Sequence, residues 1–188
     1  MCFSRAHAPF HSVNAAVRNH PSAAEQLQET RGRGVKCDYS FMKKENEVID
    51  DLIETLKDGQ EGFKQAAEGV NDPKLKSLFL DYSQQRSRFA AALQSEARRH
   101  GDSEPETSSS ATGAMHRGWI NLKSAMTGGD EHAVLAECER GEDSAVEQYK
   151  KALEDGLTPA AQELVSRQFA EIKAAHDRIK NLRDAAKS

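Results

Sequence analysis

Apolar residues recur every three or four positions along most of this chain, and four long segments carry the period. Ile49, Leu52, Leu56, Gly59, Phe63, Ala66 and Val70 alternate steps of three and four, the spacing that lines up side chains on one face of an α-helix. They predict a helix over 45–70. Leu75, Phe79, Tyr82, Arg86, Phe89, Leu93 and Glu96 predict a second over 73–100. Leu135, Cys138, Glu142, Ala145, Tyr149 and Leu153 or Ala152 mark a third over 130–155. Ala161, Val165, Phe169, Ile172, His176, Ile179 and Leu182 mark a last one over 158–185.

The breaks between these stripes set the connectivity. Asn71-Asp72-Pro73 ends the first helix and opens the second, with Asp72 as N-cap and Pro73 at the first helical position. Thr158-Pro159 opens the last helix in the same way. Both turns are short, so each joins antiparallel neighbours. Between the second and third helices, Gly101–Thr112 is polar, Ser-rich and contains Pro105, which predicts a loop. A short amphipathic piece over 114–127 follows, with Met115, Trp119, Ile120, Leu122 and Met126 apolar, and Thr127-Gly128-Gly129 ends it. The order is hairpin, long crossover, hairpin. This predicts an all-α, ferritin-like four-helix bundle whose crossover carries a short extra helix.

Residues 1–41 lack a sustained stripe and hold five basic against three acidic residues. They are expected to be a disordered or non-native N-terminal extension, with the bundle domain over 42–188 and Met42 as an alternative natural start. His7, His11 and His20 fall there at irregular spacings that point to chance rather than a metal site.

Charged residues at 30% and aromatics at 6% agree with an all-α chain. A formal net charge of -4 without a basic stripe argues against a nucleic-acid partner. No apolar run approaches the roughly 20 residues that span a bilayer, and the N-terminus lacks the apolar core of a signal peptide. A cytoplasmic location is therefore expected. The 114–126 piece carries too few basic residues to favour a membrane surface. Cys2 and Cys37 precede the bundle and Cys138 is alone within it, so no disulfide framework is expected.

Three stripes carry an ionisable residue near mid-helix: Arg86, Glu142 and His176. A buried ionised carboxylate costs several kcal/mol unless it is paired or bound to a metal, so Glu142 needs a partner. Reflection of the third helix about the turn near 156 puts His176 about a turn from Cys138 and one or two from Glu142. The preferred arrangement is a buried polar cluster of Arg86 and Glu142 with His176 beside them, and no metal. The alternative is a metal or redox site of Cys138, Glu142 and His176 holding iron, manganese or zinc. Gly59 and Gly141 admit a third reading, a ligand gap, but close helix packing explains both.

The layout resembles the ferritin-like di-iron proteins, which take one Glu from each of two helices and a Glu-x-x-His pair from each of the other two. Gly141-Glu142 falls where that family has a Gly-Glu ligand. The stretch ending in His176-Asp177-Arg178 resembles its His segment, with Lys173 in place of the Glu. LFLDYSQQRSRF resembles its second helix, with Arg86 in place of Glu and Phe89 in place of His. The first helix offers only Gln60, since Glu47, Glu54, Glu61 and Glu68 point away from the stripe. Two of six ligands remain, and Arg86 and Lys173 would repel metals. The segments LKDGQEGF, CERGED and FAEIKAAHDRI are similar to a bacterial family of uncharacterised four-helix-bundle proteins placed in the ferritin-like superfamily. The resemblance implies the fold and assigns no activity. The expected function is that of a non-enzymatic bundle with a degenerate di-iron site. It would act as a homo-oligomer or partner-binding, stress-related protein.

Overall fold

The apolar stripes become helices packed into one bundle. The computed structural model describes residues 23–102, 104–107, 122 and 130–186, with side chains from residue 40 onward. Helix α1 spans Ala23–Gly69, α2 Pro73–Arg99, α3 Glu131–Glu154 and α4 Pro159–Ala186. The bundle belongs to the unit Tyr39–Ser188. Helix α1 begins well before Glu45, where the apolar pattern places its start. Between Ala23 and Phe41 the chain has no proline and its first turns are rich in Ala, Glu and Gln, so propensity favours a helix start there, against the cost of Gly32 and Gly34. Residues 1–22, including His7, His11 and His20, lie outside the described residues, as does most of the expected 114–127 helix. Within that piece Leu122 alone is described, helical and fully buried.

The buried residues form two clusters that show how the helices run. One joins Ile49–Leu56 of α1, Ala90–Ala97 of α2, Ala145–Ala152 of α3 and Ala161–Ile172 of α4. The other joins Phe63–Val70, Leu75 and Phe79, Val134–Cys138, Ile179 and Leu122. The N-terminal part of the bundled α1 shares a cluster with the start of α4 and the ends of α2 and α3. Thus α1 and α4 run parallel, α2 and α3 run parallel, and the pairs oppose each other. Two parallel helices in sequence need a connection as long as the bundle, and the chain between Arg99 and Glu131 is long enough to supply one.

The ends are closed as the punctuation predicts. The Asp72 carboxylate accepts from the Lys74 amide at 2.8 Å, and Asp130 accepts from those of His132 and Ala133 at 3.0 and 3.2 Å. Gly101 and Gly156 adopt φ of 91° and 80° directly after α2 and α3, a conformation an L side chain strains. Across the bundle end, Glu45 of α1 accepts from the Thr158 amide at 2.8 Å and its hydroxyl at 2.7 Å, so a buried carboxylate on one helix caps another. Glu45→Ala leaves the start of α4 short of its acceptor and should cost ~2 kcal/mol, read as a lowered urea midpoint with unchanged m. Glu47→Ala, two residues away and exposed, should leave the midpoint in place.

Candidate functional site

Between the two apolar clusters, three of the helices carry a position that is not a bulky apolar residue. Gly59 falls between Leu56 and Phe63, Arg86 between Phe79 and Ala90, and Glu142 between Cys138 and Ala145. Heptad spacing brings these positions to one level. Arg86 and Glu142 are each 1% exposed, and an Arg86 Nη donates to Glu142 Oε2 at 2.5 Å. The other Nη donates to Gln85 Oε1 at 2.5 Å. The guanidinium carbon stands 5.7 Å from the centre of the Phe63 ring, a cation–π placement. Arg86 Nε has no hydrogen-bond acceptor among the described residues. The sequence reading names Arg86 and Glu142, and the structure brings them together.

His176 is a correction. Its Nε2 lies 2.9 Å from Asp143 Oδ1 and its Nδ1 3.0 Å from Asp177 Oδ1, at the rim rather than beside Arg86. The reason is a seam shifted by one residue. The buried positions of α4 are Ala161, Val165, Gln168, Ile172, Ala175 and Ile179, steps of four and three throughout. The expected stripe shares Ile172 and Ile179 with the observed one but takes Phe169 for Gln168 and His176 for Ala175, each about 100° too far round the helix. Lys173 is corrected by the same shift. It is 57% exposed and pairs with Asp177 at 2.9 Å, so one cation, not two, occupies the core at this level. Lys173 first, then His176, hold the Asp177 carboxyl below its usual range.

The alternative trio does not converge. Glu142 is engaged by Arg86 and His176 by two aspartates, while Cys138 is fully buried in the cluster of Phe63, Phe79 and Ile179. Among the described residues no group of three or more His, Cys, Asp or Glu side chains is placed to hold a metal ion. Burial first, then the charges of Glu142 and Glu137, push the Cys138 thiol well up, away from the thiolate that metals and electrophiles require.

Sequence reasoning misses the second buried polar contact. Tyr149 is one heptad from Glu142, and its hydroxyl donates to Gln168 Oε1 at 2.7 Å. Gln168 Nε2 in turn donates to the Phe89 carbonyl at 3.2 Å, tying α2, α3 and α4. Burial raises the Tyr149 pKa, with Arg86 opposing that and Glu142 adding to it. The unbroken four-three spacing through Gln168 is the signal that finds it. Gln60, the only polar candidate expected on α1, accepts from Ser83 Oγ through its main-chain oxygen at 2.8 Å.

Gly59 faces the stem of Arg86. A Cβ there would meet Arg86 Cγ at 3.6 Å and Cδ at 3.7 Å, ordinary van der Waals contact. The space holds a methyl group and no ligand gap. Gly59→Ala should therefore raise stability by ~1 kcal/mol through helix propensity, measured by urea unfolding.

Removing one charge of a buried pair strands the other. Arg86→Met alone should cost about 3–5 kcal/mol, whereas Arg86→Met with Glu142→Leu should return most of that loss. Thermal unfolding of the two single variants and the double variant checks the cycle.

A family model described as "Domain of unknown function (DUF2383)" matches residues 44–155. The match holds both Arg86 and Glu142 and ends at Asp155, before α4. No curated protein matches the chain.

Proposed function

Because the chain belongs to the DUF2383 family, whose description assigns no activity, we propose its role from the core itself: a non-enzymatic, ferritin-like bundle with a degenerate di-iron site. The observation that carries this reading is the Arg86–Glu142 pair, 2.5 Å apart and 1% exposed on both sides. A guanidinium supplies there the positive charge that a metal would supply to Glu142. It neutralises the carboxylate without offering an open coordination position, a redox electron or an exchangeable water. A cation already hydrogen-bonded to the acid also repels an incoming metal ion. Parallel α2 and α3 joined by a long crossover support the ferritin-like assignment, as does the Gly141-Glu142 match.

With the midplane closed to solvent, function falls to the outer faces. The reading is a cytoplasmic, stress-related protein that assembles as a homo-oligomer or docks a protein partner. A net charge of -4 favours protein over nucleic acid. No described helix is long and apolar enough to cross a membrane.

Metal analysis of untagged protein, with light scattering on the same sample, tests the reading. The expected result is iron, manganese and zinc far below one equivalent, with a mass above the 20.7 kDa of one chain or a co-purifying protein partner. One equivalent of metal that is lost in Cys138→Ala and His176→Ala would replace this reading with the metal or redox alternative.

A further inference from the structure

At the C-terminus of α2 one histidine is held by a buried acid and keeps a nitrogen free. His100 caps the helix, and its Nε2 lies 3.0 Å from Glu96 Oε1. Glu96 is buried, and Arg99 engages its other oxygen. A carboxylate only accepts, so the proton between the two belongs to Nε2, and in the neutral ring Nδ1 carries a lone pair. Nδ1 bonds to none of the described residues and is not buried.

His100 lines a cleft of about 390 Å³ together with Met42, Asn46 and Asp50 of α1 and Asp102 just beyond α2. Asp50 Oδ1 accepts from the Glu106 amide at 2.9 Å and Asp102 Oδ1 from the Glu104 amide at 3.0 Å, which holds both carboxylates in place. The second oxygen of each has no donor among the described residues and is open to water. The Asn46 amide oxygen is buried and also lacks a donor. The ammonium in the lining, Lys43, pairs with Glu47 at 3.8 Å. The unused groups are therefore acceptors, and they stand at the negative end of the α2 dipole.

We propose that this cleft binds a small organic cation of the alkyl-diamine class through a primary ammonium group. An ammonium brings three N–H donors and no acceptor, which matches His100 Nδ1 and the open oxygens of Asp50 and Asp102. A bare metal ion suits the cleft less well: no three of these side chains are placed to coordinate one, and the space is far larger than an ion. An anion would face the carboxylates. The flexible, apolar Met42 side chain offers the alkyl stem a wall. Glu96 is a positioning residue, acting on the ligand only through the His100 tautomer. The site lies at the bundle end, so it stands or falls separately from the Arg86–Glu142 reading.

NMR of the full chain at neutral pH and constant ionic strength, titrated with putrescine, tests the proposal. The free His100 ring should carry its proton on Nε2. Its resonances and the Gly101 amide should shift saturably, with half-saturation at roughly 0.1–10 mM, the range open to so few heavy atoms. Butanediol, of similar shape but uncharged, should leave both in place. Asp50→Asn keeps an acceptor for the Glu106 amide and removes the charge; it and His100→Phe should each weaken binding about 10-fold at the Gly101 amide. Glu61→Gln, an exposed carboxylate of α1 outside the cleft, should change nothing. A ring proton on Nδ1, no saturable shift with putrescine, an equal shift with butanediol, or unchanged half-saturation in Asp50→Asn and His100→Phe would each overturn it.

Discussion

A buried ion pair between α2 and α3 is the constraint around which this bundle is arranged. Either charge alone would cost several kcal/mol at that depth, so the two helices must meet in the one register that places Arg86 against Glu142. The arginine stem lies beside Gly59 of α1, and Phe63 sets its ring near the guanidinium. The pair separates the apolar core into two clusters. Each cluster alone could tolerate a helix slipped by a turn, because Leu, Ile and Ala exchange places at modest cost. A slipped Arg86 would leave two unpaired charges. Specificity of register follows from the penalty of being wrong as much as from the strength of the contact.

Side-chain contacts at the two ends reinforce that register. Glu45 caps α4 from α1, and Glu131 of α3 accepts from the Asp72 amide at the start of α2 at 2.9 Å. Each places a carboxylate beside a helix N-terminus, where the dipole favours it, and each joins elements far apart in the chain. The Tyr149–Gln168–Phe89 contact adds a further polar tie inside the cluster of Ile49, Leu93 and Val165. Together with the midplane pair, these contacts give the buried acids Glu45 and Glu142 their partners.

The chemistry of the midplane follows from which groups are occupied. Glu142 is a buried carboxylate, and its oxygen is engaged by Arg86. Cys138 is near it but held as a thiol by burial and by neighbouring negative charge. His176 has the right chemistry and faces the wrong way, toward Asp143 and Asp177. A seam displacement of one residue on α4 decides between a triad and a surface ion network.

The four stripes, the helix caps at Asp72 and Thr158, the antiparallel hairpins and the need for a partner to Glu142 are all legible in the residues. They depend on local period, turn chemistry and the cost of burying one charge. Arg86 is identifiable as that partner for the same reason. The faces of Gln168 and His176 and the cap from Glu45 are not, because each depends on rotation about a helix axis or on contacts between distant segments. A stripe defines a face to within about one residue, some 100° of rotation; only packing against the neighbouring helices selects which side chain points inward.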